Sequence, residues 1–400
     1  MNRILFCWEL GSNLGHVMRL LPIARVLRDK GHEVLWAYAG IRKTVASLVR
    51  SEGFTSLDAP TWPLPATSSP LSQTYGQNLL KNGYGREDYL LSHLDAWRSL
   101  LQSSQPDLVL AEHAPTALII ARDMDITRAA IGTGYSIPPL SRPMSFLHPW
   151  FTLSAERLAE KEAAFLNKVN QVLAEAGCVS LGSVADIFDG ASIFLCTWPE
   201  FDHYGGRETE KYRGPVVSDV HDLSAPWPSQ DRENVYVYMR SGHRVFQPLL
   251  EALQKLDLPV LAFVPDINVN HMEQIGTGKN TCITASPMNL GDVKERCLFA
   301  VTEGGVNTAS LMLLAGVPLL LCPSQLEQAV LSYRLSAQGL CTMISWFDMN
   351  PDMEGKVNEM YTNDLLVKNV RALAHKYSDE SNAGRVEDIA QQCLLLAEAC

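Results

Sequence analysis

The strongest constraint on this chain is an alternation that begins at its first residues. Ile4 to Trp8 form an unbroken apolar run, as a strand buried on both faces requires. A glycine-bearing turn then leads into residues 17–29, where Leu20, Leu21, Ala24 and Leu27 share one helical face and Arg19, Arg25 and Arg28 fall outside it. Pro22 is expected near the first turn, where a missing N–H costs little, and Gly31 is expected to cap the helix end. The pattern recurs with strands at Glu33–Tyr38, Leu108–Ala111, Arg128–Ile131 and Ile193–Cys196, and with helices over 86–103, 114–124 and 153–176. Strands separated by helices of this length build parallel sheets covered on both faces.

Between 213 and 233 the periodicity lapses into Arg213-Gly214-Pro215 and Ala225-Pro226-Trp227-Pro228-Ser229. It then restarts with strands Val235–Met239, Val260–Val264, Leu298–Thr302 and Leu319–Cys322 and helices over 245–256, 306–315 and 325–338. A length of 400 residues suits two domains. The expected organisation is α/β: a Rossmann-like domain over 1–215, a linker over 216–233, a second such domain over 234–380, and a helix within 381–400 that packs back on the first domain. In paired domains of this kind, facing each other across a cleft, ligands bind beyond the carboxyl ends of the strands.

Composition removes several functions. With 44 acidic against 33 basic residues and no Lys/Arg run, neither a nucleic-acid groove nor an anionic-membrane patch has electrostatic support. No span of ~20 apolar residues is present, so no transmembrane segment is expected, and the N-terminal apolar run is too short for a signal peptide. Nine dispersed cysteines without a CxxC read as buried thiols of a cytoplasmic protein rather than as disulfides or zinc ligands.

Two loops carry chemistry. Gly11-Ser12-Asn13-Leu14-Gly15-His16 follows the first strand and is neither a Walker loop nor a GxGxxG fingerprint. Its tight backbone projects His16 from a helix start, where the positive end of the helix dipole favours the neutral imidazole that a general base needs; a simple capping role is the alternative. The second loop, Glu303-Gly304-Gly305-Val306-Asn307-Thr308, joins a strand to a helix. Its paired glycines permit close backbone approach, and its N–H groups with Asn307 and Thr308 suit a phosphate; a plain tight turn is the alternative. Asp123-Met124-Asp125 is a D-x-D at a helix end and reads as a solvated turn, so no metal is expected.

The chain resembles the GT-B nucleotide-sugar glycosyltransferases, particularly the small-molecule and macrolide glycosyltransferases, and is more distantly similar to the lipid-linked N-acetylglucosaminyltransferases of cell-wall synthesis. The front half, Gly15-His16-Val17 through Pro22-Ile23-Ala24 to Gly31-His32-Glu33-Val34, follows "GHxxPxLxLAxxLxxxGHxV". Gly304-Gly305, Asn307-Thr308, Ala315-Gly316-Val317-Pro318, Pro323, Glu327-Gln328 and Arg334-Leu335 follow "HGGxGTxxEALxxGVPxxxxPxxxDQxxNAxRL".

The resemblance implies an inverting hexosyltransferase that uses a UDP- or dTDP-sugar as a substrate, with no cofactor, and glycosylates a hydroxyl of a small-molecule or lipid-like acceptor. It assigns His16 as the base and Glu112 as the acid that orients it, with His113 the rival. It places Ser241 and Gly242 against the donor phosphates, Pro287 and Met288 along the nucleobase, and Glu327 and Gln328 on sugar hydroxyls as paired acceptor and donor. Acceptor recognition falls to the first domain, with Asn13, Tyr135 and Phe146 as candidates and Trp8 and Trp198 beside them. Glu303 replaces the family's phosphate-binding His, Asn307 its next glycine, and Ser332 its Asn. A carboxylate ~4 Å from a phosphate repels it by a few kcal/mol at an effective dielectric of ~20. Glu303 is therefore expected to turn away, to bind a cation, or to mark an altered donor site, and the last case implies a non-catalytic GT-B auxiliary or ligand-binding protein.

Overall fold

The computed structural model describes residues 1–11, 14–39, 43–62, 71–218, 225–267, 280–289 and 293–399. They form two compact units, Met1–Ser218 with Asn382–Cys400, and Asp219–Ser381. The Asn382–Glu398 helix belongs to the first unit and packs on the first helix, α1 (Gly15–Asp29). Residues 219–224, inside the expected linker, lie outside the described residues.

Among the described residues the first unit holds one parallel six-stranded sheet, built from β1 (Arg3–Trp8), β2 (Glu33–Ala39), β3 (Thr55–Ala59), β4 (Leu108–Glu112), β5 (Arg128–Gly132) and β6 (Ser192–Leu195) in the order β3-β2-β1-β4-β5-β6. The second unit repeats this order with β7 (Asn234–Tyr238), β8 (Val260–Phe263), β9 (Thr281–Thr284), β10 (Cys297–Thr302), β11 (Leu319–Leu321) and β12 (Thr342–Met343), arranged β12-β11-β10-β7-β8-β9. Each sheet is doubly wound, so successive connections leave in opposite directions at β1/β4 and at β7/β10. These are the switch points where such sheets place their ligands. The central strands are apolar throughout because both of their faces are covered: Ile4, Leu5, Phe6, Cys7 and Trp8 are all buried. Trp97, Phe165 and Leu94 from the flanking helices pack with Leu5 and Cys7 in one core.

Three expectations need correction. Helix α1 starts at Gly15, so Pro22 lies well inside it and cannot donate to the carbonyl of Met18. Arg19, expected outside the apolar face, is only 5% exposed. The strands β3, β9 and β12 were not anticipated, because all three are short edge strands with little apolar content to bury. Among the described residues, no helix is long and apolar enough to cross a membrane.

Candidate active site

The first switch point gathers the chemistry of the N-terminal unit. His16 sits in the first turn of α1, and its ring stacks on that of Trp8 at the end of β1, with centroids 5.0 Å apart and 28° between planes. Its Nδ1 lies 2.8 Å from Oε1 of Glu112, which ends β4 and is fully buried. One turn further along α1, Arg19 Nη1 donates to the same oxygen at 2.9 Å. His113, the rival candidate, holds a left-handed backbone with φ 46°, and its ring centroid is 6.2 Å from that of His16. The contact with His16 is therefore made by Glu112.

Burial pushes the Glu112 carboxyl up, but the Arg19 guanidinium and then the hydrogen bond from His16 outweigh it, and the net displacement is downward. Glu112 is thus an acceptor only. A neutral His16 must carry its proton on Nδ1 to meet it, which leaves the lone pair on Nε2.

Beside this cluster, Glu9 follows β1 and is also buried. Its Oε1 accepts from Trp62 Nε1 at 2.7 Å and from the Thr116 hydroxyl, and its Oε2 accepts the Thr116 N–H at 2.9 Å, at the start of the Pro115–Asp123 helix. Burial raises the Glu9 carboxyl to about 7 despite these donors.

The acceptor candidates separate. Asn13 lies outside the described residues. Tyr135 is half-buried, its ring 6.3 Å from His113 and 5.5 Å from His203. Phe146 belongs to the wall of a cavity of about 580 Å³, together with Pro139, Pro143, Leu158, Tyr204 and Arg207. Trp198 does not join it, because its ring packs beneath Arg385 of the Asn382–Glu398 helix at 5.2 Å. Trp8 supports His16 instead of lining the cavity.

The second switch point holds the donor candidates. Glu303, just past β10, accepts the Arg240 N–H at 2.9 Å on Oε1 and the Ser324 hydroxyl at 2.9 Å on Oε2. Its carboxylate is turned into the loops that follow β7 and β11. Ser241 gives its N–H and its hydroxyl to the carboxylate of Asp266, at 2.8 and 3.0 Å. Open space surrounds the Gly242 and Gly305 positions where a Cβ would stand. Gly304 has φ +88°, and a Cβ there would lie 2.8 Å from Ser332 Oγ, so both conformation and space demand glycine.

Gly305 starts the Val306–Leu314 helix without a side-chain cap, and Asn307 and Thr308 occupy its half-buried first turn. An uncapped helix start of this kind presents N–H groups and a positive dipole end to an anion. The Gln328 oxygen accepts the Ser324 and Gln325 N–H groups at 2.9 and 3.1 Å, so this amide oxygen caps its own helix. Glu327 is half-buried beside it. After β9, Pro287 is exposed and Met288 is buried. The D-x-D is a turn: Asp125 has φ 56°, and Asp123 accepts the Val179 N–H at 3.0 Å.

Sequence reasoning missed Arg19 and Glu9. The signal for Arg19 was its position three residues after His16 on the same helix face. Glu9 carried no local signal, since its donors come from Trp62 and Thr116.

No known family's sequence profile matches the chain. Among solved structures, the glycosyltransferase VinC in complex with dTDP superposes with a TM-score of 0.70 at 15% identity, covering 100% of both chains. SsfS6, a Streptomyces sp. SF2575 glycosyltransferase, does so with a TM-score of 0.67 at 21% identity, over 97% of this chain and 99% of its own. Two doubly wound parallel units of this strand order match the GT-B fold of these glycosyltransferase structures. In sequence the chain is 27% identical over 351 residues to a PGL/p-HBAD biosynthesis glycosyltransferase of Mycobacterium tuberculosis, a span of 82% of this chain and 77% of that protein. The chain accordingly has the GT-B fold and is similar in sequence to a glycosyltransferase.

Proposed function

We propose that this enzyme is an inverting, metal-independent transferase that moves a hexose from a UDP- or dTDP-sugar to a hydroxyl of a small or lipophilic acceptor. His16 Nε2 takes the acceptor proton as the hydroxyl oxygen bonds to the anomeric carbon. The bond from that carbon to the diphosphate oxygen breaks, and its electron pair leaves with the nucleoside diphosphate. Glu112 holds the proton on Nδ1 before transfer and stabilises the imidazolium afterwards. The uncapped start of the Val306–Leu314 helix and the open backbone at Gly242 and Gly305 suit the leaving diphosphate, for which dTDP in VinC is the precedent. The walls of the cavity at Phe146 suit an apolar acceptor.

The single observation that carries this reading is the 2.8 Å contact between His16 Nδ1 and a fully buried Glu112 at a sheet switch point. The test pairs a transfer assay across UDP- and dTDP-sugars with calorimetric titration of UDP and dTDP. His16→Ala is expected to abolish transfer and to leave nucleotide affinity nearly intact. Near-normal turnover in that variant removes His16 as the base, and the absence of saturable heat in the unaltered protein favours the non-catalytic reading.

A further inference from the structure

We propose that Arg19 is a positioning residue for the base: by balancing the charge of Glu112 it keeps the His16 imidazole neutral, with its lone pair on Nε2, until the acceptor proton arrives. The inference rests on the reading of His16 as the base.

The geometry is a three-membered cluster on one oxygen. His16 Nδ1 and Arg19 Nη1 reach Glu112 Oε1 at 2.8 and 2.9 Å, and the side chains of Arg19 and Glu112 are 5% and 0% exposed. A carboxylate buried this completely is costly unless an opposite charge lies against it. Facing an imidazole alone, it would gain most by drawing a proton into the pair. That proton has two places to go, and both disable the base. On His16 it fills Nε2 and makes the imidazolium. On Glu112 it turns the carboxyl into a donor toward Nδ1, and the ring proton moves to Nε2. Arg19 removes the need for either. Its charge is permanent, its guanidinium is buried with the acid, and it leaves Glu112 free to accept from Nδ1–H.

None of the remaining groups facing the cluster contributes as much to this balance as Arg19. Trp8 stacks on the His16 ring and is uncharged. Burial raises the Cys196 thiol, near both Arg19 and Glu112, to about 12 and holds the Tyr75 phenol well above its ordinary value, so both stay neutral. His113, beside Glu112 in the chain, is a further titratable neighbour and provides the control.

The experiment compares Arg19→Met, Arg19→Lys and His113→Gln with the unaltered enzyme, using UDP-glucose and dTDP-glucose as donors and 4-methylumbelliferone as the probe acceptor. It follows kcat/KM against pH and, separately, the His16 ring in the ligand-free protein by long-range proton–nitrogen NMR. For Arg19→Met the acid-side fall of kcat/KM is expected to move to higher pH by ~1–3 units, the size of effect one adjacent charge produces. Turnover at neutral pH then drops by about tenfold per unit moved and recovers in alkaline buffer. The ring resonances should show Nε2 protonated to correspondingly higher pH. Arg19→Lys, which keeps the charge, should stay close to the unaltered profile, as should His113→Gln.

A loss in Arg19→Met that is the same at every pH, with the ring resonances unmoved, overturns the proposal and leaves Arg19 a packing residue. No loss at all overturns it as well. If Arg19→Met does not fold, Arg19→Gln replaces it under the same criteria. The NMR arm needs no turnover, so it separates failure of the charge balance from failure of the base assignment, which His16→Ala tests by itself.

Discussion

A Cβ on Gly11 would stand 2.4 Å from Nε2 of His16, and Gly11 itself has φ +89°. Neither the ring nor the backbone can yield easily. The ring is held at Nδ1 by Glu112 and on its face by Trp8, and the left-handed conformation costs roughly 1–2 kcal/mol for a residue with a side chain. Gly11→Ala is therefore expected to push the imidazole off its carboxylate. The measurable result is a kcat lower by ~10²–10⁴, the usual worth of a positioned base. UDP and dTDP affinities by calorimetry should stay within about twofold, since the loops proposed to hold the donor belong to the other unit. Turnover preserved in this variant would mean that Nε2 is not the working atom.

Glu112→Gln keeps the shape of the acid and discards its charge. The amide can offer an NH2 to Nδ1 and so stabilise the wrong tautomer, while Arg19 loses its ion pair with Glu112. The folded-state value of Glu112 lies below its ordinary 4.5, so its contribution to stability is present above that pH and is lost as pH falls through the folded value. Thermal melts of the unaltered protein should lose this contribution on acidification below 4.5, and melts of Glu112→Gln should not. A variant that melts like the parent at neutral pH would show that the cluster does little for the fold.

Glu9 has the opposite sign. Its folded value is raised from 4.5 to about 7, so the fold prefers the protonated acid, and the benefit, complete below 4.5, is lost as pH rises to about 7. The cost of ionising it in place is about 3 kcal/mol, at 1.36 kcal/mol per unit. Melting temperature should accordingly fall across this interval in the parent, and the fall should be much reduced in Glu9→Gln, which carries no titrating proton. An identical pH dependence in the two proteins would place the titrating group elsewhere.

What could be read ahead of the structure followed from local pattern. The central strands were legible because burial on both faces writes an unbroken apolar run, as in Ile4 to Trp8 and Cys297 to Val301. The edge strands β3, β9 and β12 were not, since β3 buries only Ala59 and β12 is two residues long. His16 and the Gly304-Gly305 loop announced themselves by their place between a strand and a helix, and Glu112 entered only through the resemblance. The orientation of Glu303 was not legible, because its partners Arg240 and Ser324 come from other strand-end loops. Arg19 was misplaced for a related reason: a charged residue on a helix reads as solvated until its partner on a neighbouring strand is known.

The two sheets use the same device, and this gives Glu303 a role that can be tested by sign. In the first unit the acid ending β4 holds the helix after β1, through Glu112 and His16. In the second unit the acid just past β10 holds the loop after β7, through Glu303 and the Arg240 N–H at 2.9 Å. If Glu303 acts by fastening that loop, Glu303→Ala should weaken UDP or dTDP binding by about tenfold, the worth of one charge-assisted hydrogen bond at ~1.5 kcal/mol, although it removes a negative charge from the region. Glu303→Gln, which can still accept from Arg240, should bind within about threefold of the parent. If repulsion of the diphosphate dominated instead, both variants would bind more tightly, and more so at low salt, where Coulombic terms are least screened. Calorimetric titration of the three proteins at two ionic strengths separates these outcomes.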